Sequence, residues 1–181
     1  MRINCVPPSI LSDAHLMAEI REIKMLPKSL VRSLKSKKGV NFRNIPNDYT
    51  LNTGHGIFFY NKIPYIENRF KELIDEAVEV RHFMLEDLTK TLYDAKFDYS
   101  IINQFKHNMM DEWIPNFMDQ KINIDRIVQH IHEKIVDHGK PNFYKYRSNN
   151  RSLDEWISYY ESYVNMIFKK KGKRNGRKLC L

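Results

Sequence analysis

Apolar residues recur at helical spacing in four separate stretches of this chain, and few stretches alternate in the way a strand does. Within 10–26 the stripe is Leu16, Met17, Ile20 and Ile23, with Ser12 or Asp13 placed to cap its start and Pro27 to end it. A second stripe, in "YIENRFKELIDEAVEVRHF", joins Ile66, Phe70, Leu73, Ile74 and Ala77. A third, in "INIDRIVQHIHEKIVDHGK", joins Ile124, Ile127, Val128, Ile131 and Ile135 and stops at Gly139. A fourth follows the capping box of Ser152 and Glu155 through Trp156, Tyr160, Tyr163, Val164 and Ile167. Residues 29–36 are expected to add a short basic helix. The following "KSKKGVNFRNIPNDYTLNTGHG" has the Gly, Pro, Asn and Asp punctuation of a loop. Residues 98–120 are rich in aromatics without a clear period. The pattern predicts an all-α, compact single-domain fold.

At 181 residues the chain is long enough to bury a real core, and 42% hydrophobic with 29% charged residues argues against a disordered chain. No run of about 18 apolar residues is present, so no membrane span is expected, and the start lacks the pattern of a secretory signal. Two cysteines, Cys5 and Cys180, form no framework of pairs, which suits a reducing cytoplasm. Cys5, Met17, Met109, Met110 and the many aromatic residues read as packing. The net charge of +8 is uneven: residues 1–50 carry nine basic and four acidic side chains, and "KKKGKRNGRK" at 169–178 carries seven basic and none acidic. Such polarisation points to a polyanionic partner.

The common nucleotide and metal signatures are missing. His130 and His132 are two apart on a helix and diverge, so no metal and no cofactor are expected. Arg2 is too bulky for ready removal of Met1, which is therefore expected to keep its free α-amine. An α-amine has a reference pKa of about 7.7–8.0, against about 10.4 for lysine, so near neutral pH much of it is the nucleophilic free base. It can form a Schiff base with a sugar carbon. His15, Glu19 and Glu22, spaced four and then three, project together from the first helix, and a carboxylate there can serve as general base or stabilise a cation.

"RIN" at 2–4 and "HLMAEIRE" at 15–22, followed by "GHGIFFYNKI" at 54–63 and "FYKY" at 143–146, resemble the pyrimidine-dimer DNA glycosylase/AP lyases of the phage UV-repair endonuclease type. The likeness spans roughly 1–85 and 122–147. It implies a metal-free enzyme whose N-terminal segment threads between helices, whose terminal amine attacks deoxyribose C1′ at a damaged base, and whose imine opens by β-elimination. By position, Met1 would supply the amine and Glu22 the catalytic carboxylate, while Arg2, His15 and Arg21 would hold the damaged DNA. Lys134 and the block Phe143, Tyr144, Lys145 and Tyr146 fall where that family meets DNA. A nucleotide would be flipped out of the duplex. Phosphate contacts would come from Arg2, Arg21, Lys24, Lys28, Arg32 and the basic tail.

The implied partner is double-stranded DNA, met by a monomer without membrane or metal, in the cytoplasm of the cell or of a phage's host. Residues 1–147 would form the glycosylase-like domain with an insertion expected at 90–120, and 148–181 an added helix and tail. Two departures stand out. Met1 occupies the place of the family's threonine, and Met25 replaces an arginine three residues after the glutamate. Two alternatives remain open at this point: a base-modifying transferase or a water-using glycosylase of the same fold, without Schiff-base chemistry, and a DNA-binding module without catalysis.

Overall fold

The computed structural model describes residues 2–51, 53–83, 103–136, 143–146 and 149–176, the side chains of 134–136, 143–146, 149–150 and 170–176 excepted. The protein is mostly helical, as the periodicity predicts. Among the described residues its α-helices include α1 (Asp13–Ile23), α2 (Met25–Leu34), α3 (His55–Phe58), α4 (Ile63–Asp75), α5 (Phe117–Val136) and α6 (Leu153–Gly176). Two compact units divide the chain: Met1–Asn4 with His15–Ile114, and Cys5–Ala14 with Pro115–Leu181. No described helix is long and apolar enough to cross a membrane.

In the first unit, α1 buries Leu16, Ile20 and Ile23, leaving Ser12 at the cap position. The helix ends at Ile23, four residues before Pro27, and α2 begins at Met25 rather than at residue 29. The proline is the reason. It has no N–H to give the Ile23 carbonyl, and its ring crowds that carbonyl, so one helix must stop there. Yet Pro27 is tolerated in the first turn of the next, where amides have no intrahelical acceptor. Leu26 and Leu30 then enter the core.

The loop after α2 turns left-handed at Gly54 (φ 101°), a conformation that L side chains rarely adopt, and this starts α3 with His55. The apolar stripe of α4 is buried as expected at Ile66, Phe70 and Leu73, and continues to Ala77 in a π-helical turn, Glu76–Val80. An ion pair of 2.9 Å between Arg81 Nε and Glu76 Oε1 closes that turn. Of the three methionines expected in the core, Met109 is fully buried, Met17 is half-buried and Met110 is exposed. Met109 closes the 3-10 turn Lys106–Asn108, its amide donating to the Lys106 carbonyl, whereas Met110 bridges to Lys62.

In the second unit, α5 begins at Phe117, five residues before the segment that carries the predicted stripe. Asn116 Oδ1 accepts from the amides of Met118 and Asp119, while Asp119 Oδ2 accepts from the Asn116 amide, a reciprocal cap in an Asn-x-x-Asp setting. Asn123, also on α5, accepts the Cys5 amide at 3.2 Å. The predicted capping box of α6 forms: Glu155 N–H donates to Ser152 Oγ, and Ser152 N–H to Glu155 Oε2. That contact with Ser152 holds the exposed Glu155 carboxyl below its usual range. Trp156 and Tyr160 are fully buried. The block at 143–146 forms strand β1 (Phe143–Tyr146), paired antiparallel with β2 (Asn149–Ser152) in the register Phe143↔Ser152. This hairpin is a small departure from an otherwise helical chain, in keeping with the strand preference of its aromatic residues. The expected stop at Gly139 lies outside the described residues.

Tyr163 on α6 donates its hydroxyl to Gln120 Oε1 at 2.8 Å. Burial first, then neighbouring Cys5 and Tyr159, push its ionisation up to about 12 from an ordinary 10.0. Because the folded value is the higher, the neutral phenol stabilises the unit up to about pH 10, and that contribution fades as pH rises towards 12. An alkaline absorbance titration should show one tyrosine ionising near pH 12. Tyr163→Phe should remove that step and flatten the loss of stability over the same window.

Candidate functional site

In the N-terminal segment, Ile3 and Asn4 have all four of their main-chain polar groups taken by side chains. The Ile3 amide donates to His55 Nε2 at 3.0 Å, and the Ile3 carbonyl accepts from the Tyr49 hydroxyl at 2.9 Å. The Asn4 amide donates to Glu19 Oε1 at 3.0 Å, and the Asn4 carbonyl accepts from the Tyr65 hydroxyl at 3.3 Å. His55 Nδ1 meets the Thr50 carbonyl, so that nitrogen carries the proton and Nε2 is left as acceptor. Every one of these partners belongs to the first unit.

The strongest point of the clamp is Glu19. Arg69 on α4 grips it with two parallel bonds, Nε to Oε1 at 2.8 Å and Nη2 to Oε2 at 2.9 Å, with both side chains almost wholly out of water. The Asn4 side-chain amide adds a bond of 2.6 Å to Oε2. Burial works against the Arg69 charge, but the attraction of Glu19 and the bonds to it outweigh that and raise its pKa. Each oxygen of Glu19 thus receives two donors, which exhausts the acceptor sites of a carboxylate. Glu19 is consequently structural, with no capacity left for a reacting group.

Glu22 follows Glu19 by three residues on α1, an axial rise of about 4.5 Å, and is half-buried. His15, one turn the other way, is half-buried too, as is Arg2. Around Glu22 the break between α1 and α2 gathers positive charge. Lys24 has its pKa lowered, chiefly by burial and then by repulsion from Arg21 and Lys28. Arg21 and Lys28 are exposed, and so is Met25 at the first position of α2.

Met1 and the side chains of Lys134, Tyr144, Lys145 and Tyr146 are outside the described residues; the backbone of Lys134 belongs to α5 and that of the other three to β1. A groove of about 490 Å³ lies between α5 and α6, lined by Val128, Tyr160 and Val164 with Asp125 and Glu161. Its carboxylates have the wrong sign for a phosphate backbone. Among the described residues no cluster of three or more His, Cys, Asp or Glu is placed to hold a metal.

Sequence reasoning missed Asn4, Tyr49, His55, Tyr65 and Arg69 as parts of the site. The signal for Arg69 was present, because a lone arginine on the stripe of Ile66, Phe70 and Leu73 must find a buried carboxylate. Lys62 was missed as well. It is buried, donates to the Phe58 carbonyl (2.9 Å) and Asn61 Oδ1 (2.8 Å), and stands 4.0 Å over the Phe58 ring. Burial lowers its pKa, partly offset by Asp111.

A family model described as pyrimidine dimer DNA glycosylase matches residues 1–91, a span that holds the whole clamp, Glu22 and the positive cluster beside it. With half of its length matched, the chain belongs to the pyrimidine dimer DNA glycosylase family, a family of DNA repair glycosylases.

Proposed function

We propose that the protein is a DNA glycosylase with AP lyase activity, in which the α-amine of Met1, as mature first residue, is the nucleophile and Glu22 the catalytic carboxylate. The amine attacks deoxyribose C1′ at a damaged pyrimidine, the bond from C1′ to the base breaks, and a protonated imine remains. Loss of a proton from C2′ then expels the 3′ phosphate by β-elimination, and water releases the sugar and restores the amine. Glu22 moves protons in these steps and stabilises the cationic imine.

The observation that carries this reading is the clamp on Ile3 and Asn4, anchored by a glutamate one turn before Glu22. Two residues of extended chain span at most about 7 Å, so an α-amine two residues before Ile3 is tethered within that reach of a fixed nitrogen. Arg2, Arg21, Lys24, Lys28 and Arg32 are assigned to phosphates, and His15 to the damaged strand. The repulsion from Arg21 and Lys28 that adds to burial in lowering the Lys24 pKa supports this, since a polyanion relieves it. Lys134, Tyr144, Lys145 and Tyr146 are assigned to DNA on the resemblance of their block. Met25, exposed where that family carries an arginine, makes the lesion the open variable.

Protein with an unblocked N-terminus, verified by mass spectrometry, should give a borohydride-trapped adduct with a duplex carrying an abasic site. Blocking the amine, or Glu22→Gln, should abolish it. A trapped adduct with a cyclobutane-dimer duplex would extend the activity to dimers, and binding without any adduct would reject the lyase. The two glutamates of α1 should separate cleanly. Arg69→Met or Glu19→Ala leaves a buried charge alone and should cost about 3–5 kcal/mol of stability in denaturant unfolding. Glu22→Gln should cost less than about 1 kcal/mol.

A further inference from the structure

Residues 103–114 lie beyond the span matched by the family, yet they are fastened onto the first unit at several points. The Phe105 ring stacks on Phe42 with centroids 6.1 Å apart. The Met109 carbonyl accepts from the Ile63 amide at 3.0 Å, and the Asp111 amide donates to the Asn61 carbonyl at 2.9 Å, on either side of the bridge between Lys62 and Met110. The Asp111 carboxylate also accepts from the Asn61 side chain. With Met109 fully buried, the segment has a fixed register, and that register delivers Trp113.

Trp113 is only half-buried, but its ring touches four others. It stacks on Tyr49 at 5.8 Å with planes 14° apart and meets Tyr65 edge-on at 4.6 Å. It meets Phe58 at 5.1 Å and Phe59 at 5.7 Å, both edge-on. Tyr49 and Tyr65 are the two hydroxyl donors to the carbonyls of Ile3 and Asn4. Phe59 in turn packs edge-on against His55, the acceptor of the Ile3 amide, at 5.3 Å. Three of the four main-chain contacts of the clamp therefore depend on rings that Trp113 touches directly or through one neighbour. A tyrosine hydroxyl holds a carbonyl only as firmly as its ring is held, and aromatic pairs of this kind fix ring orientation beyond what burial alone supplies.

We propose that Trp113 is a positioning residue for the N-terminal nucleophile, acting through Tyr49 and Tyr65 on the main chain of Ile3 and Asn4. The inference rests on the lyase reading for the reaction it serves, while the positioning itself can be read without chemistry. Misplacement of a reacting group by about 1 Å can cost about 100-fold in rate, and a clamp of four hydrogen bonds loosened at two of them permits a shift of that order.

The test uses the full-length protein with verified N-terminus and four variants: Trp113→Ala, Trp113→Phe, the pair Tyr49→Phe with Tyr65→Phe, and that pair combined with Trp113→Ala. Single-turnover borohydride trapping on an abasic duplex, at saturating enzyme, should slow on the order of 10- to 100-fold in Trp113→Ala. Duplex affinity by anisotropy should stay within about threefold, and Trp113→Phe should recover most of the rate. In the background lacking both hydroxyls, Trp113→Ala should cost less than about threefold more, because its path of action is already gone. By NMR, the Ile3 and Asn4 amides should exchange at least about tenfold faster in Trp113→Ala, with the Leu73 amide unchanged. Trp113→Leu is read in the same way if Trp113→Ala does not fold. An unchanged trapping rate, a loss that adds fully to that of the two tyrosine variants, or unaltered exchange at Ile3 and Asn4 would each overturn the proposal. Wild-type protein that forms no adduct sinks the lyase, and amide exchange then decides whether Trp113 positions the segment.

Discussion

A carboxylate and a guanidinium taken wholly out of water are a liability of several kcal/mol per ion unless their geometry and remaining hydrogen bonds are complete. Glu19 and Arg69 meet that demand only because Asn4 closes the last two acceptor positions of the carboxylate. The dependence runs both ways. Without the N-terminal segment the ion pair is incomplete, and without the ion pair the segment has no anchor at Asn4. Few arrangements tie the first residues of a chain so firmly to a core that α1 and α4 build. A well-packed hydrophobic pair could stabilise those two helices as well, but it could not hold a main-chain amide in place.

The same demand divides labour along α1. Glu19 is saturated with donors and sealed, whereas Glu22, one turn on, reaches the edge of the buried region where Pro27 has forced the helix to break. Burial there lowers the Lys24 pKa, and repulsion from Arg21 and Lys28 lowers it further, a crowding of like charges that costs the folded chain. A DNA repair glycosylase has a use for that cost. If the cluster meets phosphate as proposed, relief of that repulsion becomes part of the affinity.

Much of this was legible from residue spacing. The four apolar stripes became helices, and the capping box at Ser152 formed as written, because both depend on neighbours three and four residues apart. The start of α5 was missed because its cap uses Asn116 and Asp119 in place of the commoner serine and glutamate pairing. The clamp was legible in part. Glu19 and Arg69 each interrupt an apolar stripe, which marks two buried opposite charges, but nothing in the spacing says that they find each other across fifty residues. Tyr49, Tyr65 and Trp113 carried no signal at all, because a ring in a core and a ring that orients a hydroxyl look alike in sequence. The family blocks located the neighbourhood; only three-dimensional packing named the partners.

The clamp also bears on the first side chain. Its hydrogen bonds to Ile3 and Asn4 are made almost entirely to the main chain, so they set the path of the segment whatever residue begins it. A nucleophile that is itself a main-chain amine needs nothing from its own side chain except that it does not obstruct. On the lyase reading, methionine can therefore stand where relatives of the UV-repair type carry threonine, and the chemistry survives the exchange. The arginine replaced by Met25 is a different matter, since a side-chain contact has no main-chain substitute. Divergence in this protein should accordingly lie in which lesion is gripped, and much less in how the sugar is attacked.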